Sequence, residues 1–99
     1  MSGINLSLNK LYIPHELGNF TRIRALNLSH NDLTGQIPYS FSNLVQTESL
    51  DLSFNKLSGQ IPSKLNILTS LEVLSVAHNN LSGPIPERTN QFATFNKRS

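Results

Sequence analysis

The sequence predicts an α/β-type solenoid, with short parallel strands on one face and irregular or 3-10 segments on the convex face. Three observations predict it. "LSHNDLTGQIP" (28–38) and "LSFNKLSGQIP" (52–62) are near copies of one another. Related stretches, "INLSLNKL" upstream and "LSVAHNNLSGPIP" downstream, continue the same frame. Asparagines fall in register at Asn9, Asn31, Asn55 and Asn79, the last three 24 residues apart and the first step 22. A unit of this length cannot bury its apolar face alone, so units stack into one continuous core.

Each unit reads in the same order. In "RALNLSHNDL", Leu26 and Leu28 alternate with Asn27 and Ser29. Alternation at period two gives a short strand with one apolar face. Stacked units place these strands side by side, about 4.8 Å per rung. Asn31 ends the strand; its amide donates and accepts, so it can satisfy backbone groups where the chain turns inward. One such residue per rung makes a ladder of Asn9, Asn31, Asn55 and Asn79. Gly35 supplies a backbone conformation that a side chain disfavours, and Pro38 fixes φ on the return path. Leu17, Phe41 and Leu65 form one column, and Phe20, Leu44 and Leu68 another, both expected inside the convex side. The repeats fall at about 1–22, 23–46, 47–70 and 71–95, with a tail at 96–99.

The frame breaks in four places, one of them Ala77, which replaces the serine of Ser7, Ser29 and Ser53. The first unit is two residues short and lacks the turn glycine, so a distorted first rung is expected. Thr47 stands in the column of Ile23 and Leu71, where its hydroxyl needs a backbone partner. After Pro86 the pattern fades through "ERTNQFATFNKRS".

Composition narrows the function classes. The chain has 99 residues, 37% hydrophobic and only 14% charged, too apolar for a disordered tail and too uncharged for a coiled coil. The net charge of +2 is spread without a run, which argues against nucleic acid as a partner. Without cysteine there is no disulfide framework or thiolate metal site within these residues. No apolar run approaches the roughly 20 residues that span a bilayer, and the first residues carry no basic-then-apolar targeting pattern. No membrane contact is expected from this segment itself.

The spacing L-x-L-x-x-N-x-L is the leucine-rich-repeat signature. The units resemble the plant-type extracellular form, L-x-x-L-x-x-L-x-L-S-x-N-x-L-x-G-x-I-P, over Ile4 to about Phe95. Its G-x-I-P element stands as Gly35-Gln36-Ile37-Pro38, Gly59-Gln60-Ile61-Pro62 and Gly83-Pro84-Ile85-Pro86. More narrowly, "LEVLSVAHNNLSGPIPERTNQFATF" resembles the last repeats of plant receptor-like proteins, membrane-anchored ectodomains without a kinase of their own. The resemblance implies a peptide or protein ligand, a partner co-receptor kinase, and a place on the extracellular side of the plasma membrane. It implies no cofactor and no enzyme activity. The same repeats also suit a receptor-kinase ectodomain, a secreted inhibitor of wall-degrading enzymes, or an inactive truncated product. Uncapped terminal rungs expose apolar edges and strand backbone, so self-association is expected.

By the same resemblance, the strand face is where partners bind. Its outward residues are expected to be Arg24, Asn27, Ser29 and His30 on one rung. The next offers Glu48, Asp51, Ser53 and Phe54, and the last Glu72, Ser75 and His78. Phe54 either supplies contact area to a partner or packs on its neighbours in the sheet. His30 and His78 share a column two rungs apart, about 10 Å; metal–nitrogen bonds of about 2 Å cannot join them through one ion. Ser29, His30 and Asp51 hold the elements of a hydrolytic triad without the arrangement that orients a base. Four N-x-S/T sequons begin at Asn5, Asn19, Asn27 and Asn80. Asn19 and Asn80 are the candidate glycosylation sites, because a glycan on Asn5 or Asn27 would cover the strand face.

Overall fold

The computed structural model describes residues 3–7 and 11–84, and the backbone of 93–94. Proline-led turns repeat down the chain. Pro14, Pro38 and Pro62, with φ near −60°, each precede a five-residue 3-10 turn: His15–Asn19, Tyr39–Asn43 and Ser63–Ile67. Each proline carbonyl accepts the N–H three residues on, from Leu17, Phe41 and Leu65 at 3.1–3.2 Å. These segments carry the convex face.

The opposite face is a parallel sheet. Strands β1 (Gly3–Asn5), β2 (Ala25–Asn27), β4 (Ser49–Asp51), β6 (Val73–Ser75) and β8 (Ala93–Thr94) pair in that order. Ile4, Leu26, Leu50 and Leu74 stand in register and point inward. A second ladder, which the sequence pattern did not announce, joins β3 (Thr34–Gly35), β5 (Lys56–Gly59) and β7 (Asn80–Leu81). It lies where the chain leaves the asparagine, and Gly35, Gly59 and Gly83 adopt φ of 77–80° there, a region glycine enters without steric cost. The pairing of β8 with Leu74 and Ser75 adds a fifth rung beyond the four expected repeats.

Between the two faces lies one continuous core, in which Phe41 is the largest fully buried side chain. Leu17, Phe41, Leu65, Leu44 and Leu68 are all buried within it. Phe20 departs from the expected column: it is 38% exposed, because its 3-10 turn is the first of the stack and has no described turn beneath it. The first rung is irregular as well. Leu11 is 75% exposed, whereas Leu33 and Leu57 in the equivalent place are buried. Its pairing shrinks to a single bridge between Tyr12 and Thr34. Thr47, 1% exposed, donates its hydroxyl to the Ile23 carbonyl at 3.0 Å. The hydrogen bond makes a polar side chain tolerable in an apolar column.

Candidate functional site: the strand face and its aromatic stack

The strand face is built from inside outward. Asn55 Oδ1 accepts from the backbone N–H groups of Asn31 and Leu33, each at 3.0 Å. Its Nδ2 donates to the carbonyls of Leu28, Leu52 and Ser53. Asn31 Nδ2 reaches Leu6, Leu28 and Ser29 in the same way, and Asn79 Nδ2 reaches Leu52, Val76 and Ala77. Asn79 Oδ1 in turn accepts from Leu57 N–H at 2.9 Å. Each amide thus ties its own turn to a neighbouring turn. Asn9 lies outside the described residues.

One residue before each asparagine, the chain turns into the left-handed region. His30, Phe54 and His78 have φ of 59°, 57° and 59°. Side chains there cost roughly 1–2 kcal/mol per residue. Cross-turn hydrogen bonds hold the conformation: His30 N–H donates to the Ser53 carbonyl at 3.1 Å, and Phe54 N–H to Ala77 at 3.0 Å. The same kink on each rung aligns the three side chains. His30 stacks on Phe54 with centroids 4.3 Å apart and planes 11° from parallel; Phe54 stacks on His78 at 4.2 Å and 16°. Phe54 therefore packs on its neighbours and yet stays 46% exposed. It fills the space between the two imidazoles, which share no site for an ion.

Beside the stack run two shallower columns. Asn27, Asp51 and Ser75 stand in register and are half-buried. Asn27 Oδ1 accepts from both the N–H and the hydroxyl of Ser29, at 2.9 and 2.6 Å; Asp51 Oδ1 does the same for Ser53, at 3.0 and 2.6 Å. Two of the expected outward residues are corrected by this. Ser53 is buried and Ser29 half-buried, because each hydroxyl folds back onto the strand instead of facing a partner or an imidazole.

Arg24, Glu48 and Glu72 are exposed at the strand entrance. Arg24 escapes the period-two alternation because its carbonyl accepts from both Glu48 N–H and Ser49 N–H, and the regular strand begins only at Ala25. Glu48 repeats this toward Glu72 and Val73. Arg24 and Glu48 lie 3.6 Å apart with half or more of each side chain in solvent, where an ion pair contributes little. Sequence reasoning missed the column of Ala25, Ser49 and Val73, of which Val73 is an exposed apolar residue. Strict alternation outward from Leu26 and Leu74 would have found it. Of the sequon asparagines, Asn19 ends the first 3-10 turn and is exposed, and Asn80 is exposed in β7.

Residues 21–81 match the model of the leucine-rich-repeat family. The chain belongs to that family. Solved structures extend the likeness to plant proteins. The BIR2 ectodomain from Arabidopsis thaliana is 36% identical, with a TM-score of 0.74 over 98% of this chain and 52% of that one. The Arabidopsis receptor kinase HAESA, in complex with the peptide hormone IDA and the co-receptor SERK1, is 34% identical, with a TM-score of 0.83 over 95% of this chain and 17% of that one. A plant ice-binding protein is 36% identical, with a TM-score of 0.75 over 94% of this chain and 27% of that one. The search of curated proteins found no match. This leucine-rich-repeat chain thus spans about half the length of the BIR2 ectodomain and less of the others. Among the described residues, no helix is long and apolar enough to cross a membrane.

Proposed function

We propose that the chain is a peptide- or protein-recognition segment of a plant cell-surface receptor, of the receptor-like class that signals through a partner co-receptor kinase. The observation that carries this reading is the likeness to plant receptor ectodomains, one of them solved with both a peptide hormone and a co-receptor. The strand face suits the role. Its kinked backbone is fixed by cross-turn hydrogen bonds, so little ordering cost remains at binding. The stacked His30–Phe54–His78 column offers rigid aromatic contact area of the kind that anchors interfaces. Asn27, Asp51 and Ser75 add polar groups beside it, and Arg24, Glu48 and Glu72 form the rim. Three carboxylates against one guanidinium favour a ligand with a basic residue. The reading places the segment on the extracellular side of the plasma membrane, with Asn19 and Asn80 as its glycosylation sites.

A library of short peptides displayed on phage, panned against the chain, tests this. Binders should lose at least tenfold in affinity on Phe54→Ser and on the pair Asp51→Ala with Glu72→Ala. Binders indifferent to all three substitutions would move recognition off this face. Reading the parent transcript past Ser99 separates the receptor classes. A membrane helix with a short cytoplasmic tail marks a receptor-like protein, and a following kinase marks a receptor kinase.

The likeness to an ice-binding protein supports a second reading, adsorption to ice through the regular face. Thermal hysteresis in a solution of the chain would establish it; freezing at the equilibrium melting point would dismiss it.

A further inference from the structure

A second concave site lies away from the strand face, alongside the ladder of β3, β5 and β7. It is a groove of about 490 Å³ crossing three successive turns, within the range of small-ligand sites. Gln36 and Tyr39 come from one turn, Gln60 and Ser63 from the next, and Ser82 from the last. Glycine shapes it. A Cβ on Gly59 would lie 3.0 Å from Gln36 Cγ, and one on Gly83 would lie 2.6 Å from Gln60 Cγ. The missing side chains let each glutamine lie across the following turn, so the two amides form a row along the groove.

We propose that this groove binds a short uncharged oligosaccharide. Its described lining contains no charged residue, which disfavours phosphates, uronates and other anions. Among the described residues, the amides of Gln36 and Gln60 and the hydroxyls of Ser63 and Ser82 make no intramolecular hydrogen bond. Amides and hydroxyls both donate and accept, as sugar hydroxyls do, so either partner can reorient to match the other. Tyr39 is 69% exposed at the rim. An aromatic side chain with an apolar body and a polar tip suits the mixed C–H and hydroxyl faces of a pyranose ring. A peptide fits less well: β5, at the middle of the groove, is already paired on both sides, with β3 and with β7, so it offers no open edge to an added strand.

The test is NMR titration of the 99-residue chain, following the side-chain amides of Gln36 and Gln60 and the ring of Tyr39. Cellohexaose, xylohexaose and mannohexaose serve as neutral probes and trigalacturonate as the charged control. At least one neutral hexaose should shift these three residues saturably. Tyr39→Ala and Gln60→Ala, both at exposed side chains, should each weaken binding at least tenfold with the backbone spectrum otherwise unchanged. The proposal falls if none of the three binds at millimolar concentration, if trigalacturonate binds as well, or if the shifts centre on Phe54. Peptide recognition on the strand face is unaffected by either result.

Discussion

Asn55 concentrates the physics of the repeat in one side chain. It is buried and engages five backbone groups drawn from two turns. Truncation strands the N–H groups of Asn31 and Leu33, while the Leu28 carbonyl keeps its bond from Asn31 Nδ2. Each buried unsatisfied group costs about 1–3 kcal/mol. Asn55→Ala is therefore expected to cost at least about 2 kcal/mol, read as a fall in the urea midpoint. A loss below 1 kcal/mol would mean that water replaces the amide without penalty. The left-handed residues give a contrasting pair. Asp32 has φ of 56° and an exposed side chain, so Asp32→Gly should relieve about 1 kcal/mol of backbone strain. Phe54→Gly relieves the same strain but removes two ring contacts, and about 0.5–1.5 kcal/mol goes with each. Urea denaturation should show Asp32→Gly stabilised and Phe54→Gly destabilised. Stabilisation of both would mean that the stack contributes nothing to folding.

At the scale of elements, the tightest joint is between successive 3-10 turns. A Cβ on Gly18 would come within 2.5 Å of the Ser40 carbonyl oxygen and 2.7 Å of its Cβ. The turn carrying Ser40 is also held there by its hydroxyl, which donates to the His15 carbonyl at 2.6 Å. Gly18→Ala must push two turns apart, and overpacking of this kind costs about 1–3 kcal/mol. Gly35→Ala meets only Tyr12 Cβ at 3.9 Å and pays only for its positive φ. Gly18→Ala should thus be the more damaging substitution by urea titration, although Gly35 occupies the more conspicuous motif. That inversion marks the limit of what the sequence discloses. Period-two alternation located β2, β4 and β6, and the spacing of Asn31, Asn55 and Asn79 located the turns that follow them. These features depend on near neighbours and on residue type. Gly18 stands at a variable position of the repeat, matched by Ser42 and Asn66 in the later turns, and its role arises from contact with a residue one turn away. The kink at Phe54 is equally hidden, because aromatic residues intrinsically avoid positive φ. Only the cross-turn hydrogen bonds impose it, and they exist only once the turns are stacked. The groove beside β3, β5 and β7 escaped notice for the same reason: Gln36 and Gln60 meet it only across successive turns.

The whole molecule is a stack of nearest-neighbour interfaces, so its stability is nearly a sum over turns and its weakest points are the ends. The first turn illustrates this. Leu11 and Phe20 are exposed where later turns bury the equivalent residues. Strand β1 has β2 as its described partner, leaving its other edge free to template pairing among the described residues. Burying that edge against a second copy would extend the sheet and cover Leu11 together. The 99-residue chain should accordingly self-associate, with a weight-average mass in sedimentation equilibrium that rises with concentration. Its urea midpoint should rise in step, since association stabilises by mass action. Gly3→Lys places a charge on the free edge, where a Cβ would sit 3.3 Å from Ala25 Cβ, a contact that needs only a small adjustment. That variant should remain monomeric at concentrations where the unmodified chain does not, and its urea midpoint should become independent of concentration. If Gly3→Lys associates as strongly as the parent sequence, the contact runs through another surface, and the exposed Phe54 and Val73 of the strand face are the next place to substitute.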